Sequence, residues 1–117
     1  MILADTSVWI DHLRRGNPTL RAHLTQGRIV CHPFIIGELA LGNLRDRTEI
    51  LVHLNRLPQL PVAAHDEVLA FVERRRLFGV GIGWIDAHLL AAVLVSGARL
   101  WALDARLARV ARGLRIA

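Results

Sequence analysis

A chain of 117 residues is long enough for one compact domain and too short for two ordinary ones. Hydrophobic residues make up 53% and mean hydropathy is +0.36, which excludes a disordered tail and leaves apolar surface over for a partner or a second copy. The net charge of +5 and a pI near 11.4 point to polyanionic partners, but all fifteen basic residues are arginine, a bias that a GC-rich genome also produces.

Met1 to Ala4 is a short apolar run that predicts a strand ending at Asp5. The acid stands where a secretory signal would carry positive charge, so no leader is read here. Thr6 and Ser7 offer capping oxygens to a helix that begins with Val8, Ile10 and Leu13. Asn17-Pro18 starts a second helix, closed by Gly27. Ile29 to Cys31 predicts a second strand. Cys31 is the only cysteine, so no intrachain disulfide forms, which suits a reducing cytoplasm. His32-Pro33 opens a helix carrying Phe34, Ile35, Glu38, Leu39 and Leu41, ending near Gly42-Asn43. Thr48 to Leu57 has helical spacing and stops at Pro58.

Leu60 to Ala63 predicts a third short strand, and His65-Asp66 the cap of a long helix bearing Val68, Leu69, Val72 and Leu77. Gly79-Val80-Gly81-Ile82-Gly83 lacks the Lys-Ser/Thr of a phosphate-binding loop and has no strand before it, so it reads as a connector. Trp84 to Ser96 is a helix closed by Gly97; its apolar run Leu89–Val95 is too short to span a bilayer. Arg99 to Leu103 predicts a fourth strand, Asp104 caps a last helix, and Leu114 to Ile116 is a candidate fifth, edge strand. Strands alternating with helices give one α/β domain over 1–117 with a mainly parallel sheet of four to five short strands.

The chemistry sits in the acids. Asp5 and Asp104 end predicted strands, and in a parallel sheet those ends share one edge, where ligands bind. Asp86 lies in the first turn of its helix, and Glu38 has apolar neighbours along the chain. Each has a plain structural alternative: Asp5 and Asp104 as caps, Asp86 as an acid favoured by the helix dipole, Glu38 as a solvated helix residue. One hard cation explains all four, because clustered carboxylates repel until a cation joins them. Such a site supports metal-assisted hydrolysis of a phosphodiester by an activated water, and neither Ser7 nor Cys31 has the neighbouring base of a covalent nucleophile.

The motifs around these acids resemble the PIN domain, and within it the VapC-type toxins, over essentially the whole chain. The resemblance is carried by Ile2-Leu3-Ala4-Asp5-Thr6-Ser7-Val8-Trp9-Ile10, by His32-Pro33-Phe34 with Gly37-Glu38-Leu39-Ala40-Leu41-Gly42, by Trp84-Ile85-Asp86-Ala87-His88-Leu89-Leu90-Ala91-Ala92, and by Leu100-Trp101-Ala102-Leu103-Asp104 with Leu107. It implies a PIN-like three-layer fold and a cytoplasmic ribonuclease using Mg²⁺ or Mn²⁺. Asp5, Glu38, Asp86 and Asp104 become its acidic quartet. Asp5 and Asp86 are then the metal ligands proper; Glu38 and Asp104 position water or hold a second ion. It also implies an RNA substrate, a VapB-type antitoxin and a homodimer. Ala102 departs from the family, which often has Thr or Ser there; Thr6 and Ser7 are the candidate replacements for the missing hydroxyl.

Other residues have structural readings. His32 and His88 read as capping or structural histidines, the three tryptophans as core or interface, and Arg74-Arg75-Arg76 as either a solvated helix face or a phosphate track. Phosphatases and receiver domains that phosphorylate an aspartate need a lysine, and the chain has none. The competing reading from another class is an inactive PIN-like module that binds RNA or a partner without cutting.

Overall fold

A computed structural model describes all residues from Met1 to Ala117. Its elements in chain order are β1 (Ile2–Ala4), α1 (Thr6–Arg15), α2 (Pro18–Thr25), β2 (Ile29–Val30), α3 (Pro33–Ala40), α4 (Arg47–Arg56), α5 (His65–Arg75), α6 (Trp84–Ser96), β3 (Arg99–Trp101) and α7 (Ala105–Gly113). The sheet is parallel, in the order β2-β1-β3, so the first strand is the central one. Leu3 pairs with Val30 on one side and Leu100 on the other, all three buried. Near-continuous apolar strands of this kind are expected where helices cover both faces of a sheet.

The α/β class stands as the sequence predicts, and seven helices accompany the sheet, but it has three strands rather than four or five. The Leu60–Ala63 strand is reduced to one bridge, Cys31 with Gln59: Cys31 N–H donates to Pro58 O and Leu60 N–H to Cys31 O, each at 2.8 Å. Pro61 then supplies no N–H, and pairing stops. The edge strand at Leu114–Ile116 also fails. Leu100 N–H reaches Ile116 O at 2.6 Å, but Arg115 has φ +62°, a left-handed turn no strand accommodates. The fourth predicted strand ends at Trp101, not Leu103.

Among the helices, α6 is nearly apolar all round; every residue from Ala87 to Val93 is buried, which makes it the spine of the core. It packs against α5 and β3. Gly97 ends it at φ +75°, with its N–H on Val93 O, a conformation that favours glycine. By contrast α7 is two-faced, burying Leu107 and Ala111 and turning its arginines outward.

Two caps differ from the sequence reading. Asp5, not Thr6 or Ser7, caps α1, with Oδ1 accepting from Val8 N–H at 3.3 Å. Ala64 precedes α5, with His65 and Asp66 already inside its first turn and no side-chain cap. Gly83 precedes α6. Asp104 caps α7 as expected.

Candidate active site

The carboxyl edge of the sheet is where the acids gather. Asp5 N–H continues the β1–β3 ladder onto Trp101 O at 3.0 Å, so Asp5 is the next step of the central strand, and it is only 5% exposed. Its Oδ1 is occupied by the Ser7 hydroxyl and Val8 N–H, while Oδ2 accepts no hydrogen bond from the protein. Burial pushes the Asp5 carboxyl above its ordinary range, and the nearby charge of Asp86 pushes it further. The bonds from Ser7 and Val8 oppose that rise. A carboxylate disfavoured by desolvation and by a like charge is one a cation would stabilise.

Asp86 reaches back along α6, where its Oδ2 accepts from Gly83 N–H at 3.0 Å. This satisfies one of the helix's free N-terminal donors and leaves Oδ1 without a protein hydrogen bond. The dipole-favoured reading of Asp86 is therefore correct as far as it goes, and it coexists with closeness to Asp5.

Glu38 is exposed rather than set among apolar side chains as its sequence neighbours suggest; Ile35 and Leu39, one residue type away on α3, take the buried face. The Thr6 hydroxyl donates to Glu38 Oε1 at 3.0 Å, tying it to the residue after Asp5. Asp104 is exposed too. Its Oδ1 accepts from Arg106 N–H at 2.9 Å and Leu107 N–H at 3.1 Å, the work of a helix cap. The quartet is thus unevenly assembled: Asp5 and Asp86 interact, Glu38 is joined through Thr6, and Asp104 stands as a cap. No group of three or more His, Cys, Asp or Glu side chains is close enough to hold a metal ion together. Two oxygen donors with free lone pairs still fit Mg²⁺, which keeps several waters and is commonly bound through one or two carboxylates.

Ser7 carries more than its place in the sequence suggests. Besides donating to Asp5, its Oγ accepts from Leu103 N–H at 2.9 Å. A hydroxyl from the α1 turn thus serves the segment where Ala102 lacks one. His32 is a structural cap, as read: fully buried, with Nδ1 accepting from Phe34 N–H at 3.0 Å. Burial, and secondarily the proximity of His88, lowers its pKa to about 4. His88 is likewise buried, and its pKa is lowered first by desolvation. Trp9 is core and Trp84 is 39% exposed beside His65 and His88. The three arginines Arg74 to Arg76 are all exposed. Arg106 went unmarked in the sequence, where one arginine among fifteen carries no signal; its spacing two residues after Asp104 was the available hint.

A profile described as "PIN domain" matches residues 2–113. Among curated proteins, Ribonuclease VapC32 of Mycobacterium tuberculosis is 54% identical over 108 residues, covering 92% of this chain and 87% of the relative, in both strain CDC 1551 / Oshkosh and strain H37Rv.

Proposed function

The chain belongs to the PIN-domain family, as a VapC-type member, and we propose that it is an endoribonuclease toxin dependent on Mg²⁺ or Mn²⁺ and held in check by a VapB-type antitoxin. The observation that carries the reading is Asp5: a buried carboxylate at the end of the central strand whose Oδ2 takes no hydrogen bond from the protein, with Asp86 within range to act on its charge. The relative is named a ribonuclease, and the free oxygens of this pair suit the ion such a reaction uses.

Asp5 and Asp86 would hold the ion. Bound there, it would supply an activated water and stabilise charge on the phosphate under attack. The residues around it have separate tasks. Ser7 orients Asp5 by donating to Oδ1, which leaves Oδ2 without a protein donor. Thr6 fixes Glu38 at Oε1, leaving Oε2 to accept a proton or position a water. Asp104, engaged in capping through Oδ1, adds negative charge at the same edge and has Oδ2 in reserve.

The domain is taken as the whole of 1–117. A homodimer is proposed from the exposed apolar side chains Leu69, Phe78, Val80 and Trp84, which a lone copy would leave in water. No helix is long and apolar enough to cross a membrane, and a cytoplasmic site of action is part of the proposal.

The test is expression of the chain alone in bacteria, with RNA ends sequenced soon after induction. Growth arrest with new, discrete RNA ends is expected, and Asp5→Ala at equal soluble protein should abolish both. Arrest that persists in Asp5→Ala would favour the module that binds without cutting.

A further inference from the structure

Arg106 is set apart from the other arginines by what it lies against. Gly81 has φ +86°, and a Cβ placed on it would stand 2.9 Å from Arg106 Cδ, 3.3 Å from Nε and 3.4 Å from Nη1. The arginine arm therefore lies directly across the glycine, and a side chain at position 81 would make it shift. Its backbone is fixed as well, by the bond from Arg106 N–H to Asp104 Oδ1. Two residues beyond Gly81, Gly83 N–H is held by Asp86. The guanidinium is thus positioned by two segments, each anchored to an acid of the candidate site.

For all that, it pairs with neither acid. The one ion pair in the chain joins Arg15 to Asp11, and the guanidinium groups of Arg47 and Arg99 donate to the carbonyls of Ala40 and Arg115. The Arg106 guanidinium makes no hydrogen bond within the protein. A planar cation without an anion, carried two residues after Asp104 and lying over the loop that leads to Asp86, suits phosphate recognition.

We infer that Arg106, its arm lying over Gly81, binds a phosphate of the RNA strand at the acidic edge. The inference rests on the ribonuclease reading for the identity of the strand. Its chemistry is that of any single-stranded RNA backbone: charge and paired oxygens, with no base read.

The test compares wild type, Arg106→Met, Arg106→Lys, Gly81→Ala and the Gly81→Ala/Arg106→Met double variant. Each is titrated with a short, labelled, mixed-sequence single-stranded RNA in chelator, so nothing is cut, over a range of salt. Arg106→Met should weaken binding about tenfold, as expected for loss of a hydrogen bond to a charged group. It should also reduce the log–log salt slope by about 0.7, one phosphate contact on a single strand. Arg106→Lys should keep the slope and recover only part of the affinity. Gly81→Ala should mimic Arg106→Met, and the double variant should bind no worse than the weaker single one. Arg106 is exposed and its side chain makes no hydrogen bond, so Arg106→Met should melt with wild type. Full affinity and an unchanged slope in Arg106→Met, or losses that multiply in the double variant, would overturn the inference. A wild type that binds RNA but cuts none in Mg²⁺ overturns the ribonuclease reading, while the salt slopes still decide Arg106. A wild type that binds no RNA overturns both.

Discussion

Ser7 and Leu103, ninety-six positions apart, are joined by a 2.9 Å hydrogen bond from Leu103 N–H to Ser7 Oγ, and the same hydroxyl donates to Asp5. One oxygen therefore fixes the turn after β1 to the turn after β3 and sets the rotation of the buried carboxylate. Ser7→Ala breaks both bonds. The expected cost is about 1–2 kcal/mol, since one of the two is made to an ionised group. Cleavage should fall further than stability does, because Asp5 loses its orientation. Urea unfolding and a cleavage assay on the same preparation check this; a variant with full activity would show that Ser7 does not position Asp5.

Asp86→Asn should abolish cleavage and leave the metal-free fold as stable as wild type, or slightly more so. The amide oxygen can still accept from Gly83 N–H, while the charge that adds to the burial-driven rise of the Asp5 carboxyl is removed. Were Asp86 only a partner for the helix dipole, the change would cost about 0.3–1 kcal/mol and spare activity. Thermal melts in chelator, set beside the cleavage assay, separate these outcomes.

Mg²⁺ or Mn²⁺ should raise the melting temperature of wild type, and chelator should stop cleavage. An ion at a hundred times its dissociation constant stabilises the fold by about 2.7 kcal/mol if it binds only the native state. Asp5→Asn and Asp86→Asn should show little of that shift. Equal shifts in all three proteins would place the ion elsewhere.

The pH dependence has a sign set by His32. Its imidazole protonates near 6.5 when unfolded and near 4 when folded, because burial disfavours the charge and His88 adds to the effect. Protonation would also convert Nδ1, which accepts from Phe34 N–H, into a second donor at the start of α3. Between those values the unfolded chain holds more protons, so stability falls as pH drops from about 6.5 to about 4, by on the order of 3 kcal/mol. Asp5 contributes in the opposite sense: its raised pKa favours the folded state as pH falls. The difference between wild type and His32→Asn isolates the histidine, since asparagine retains a capping oxygen and does not titrate. Denaturant midpoints should converge as pH falls; parallel curves would refute the assignment.

Most elements were legible because the chain marks them locally. Pro18 and Pro33 sit at first helical positions, Gly97 ends α6, and Asp104 begins α7. The misplaced strands share a different cause. Leu60–Ala63 and Leu114–Ile116 have strand-like composition, but whether a run pairs depends on a free backbone donor and an extended φ, and Pro61 and Arg115 each deny one. Within the candidate site, the position of Asp5 at the end of the central strand was legible because the apolar run before it ends there. The solvated reading of Glu38 was open from the sequence, but nothing along the chain predicts that it would be tethered to Thr6, or that Arg106 would lie on Gly81. Those are contacts between side chains of distant segments, and they carry no periodicity to read.

The strand order has a consequence for biosynthesis. β1 is made before both of its neighbours, and one of them, β3, lies beyond six helices. Until that segment emerges, Leu103 is not there to reach Ser7, Asp5 has no Trp101 carbonyl for its N–H, and α6 has no β3 to pack against. Chains elongate at about 5–20 residues per second, so the acidic edge is incomplete for several seconds after Asp5 has been made. The acidic edge of such a chain is completed only when the β3 segment has joined the sheet.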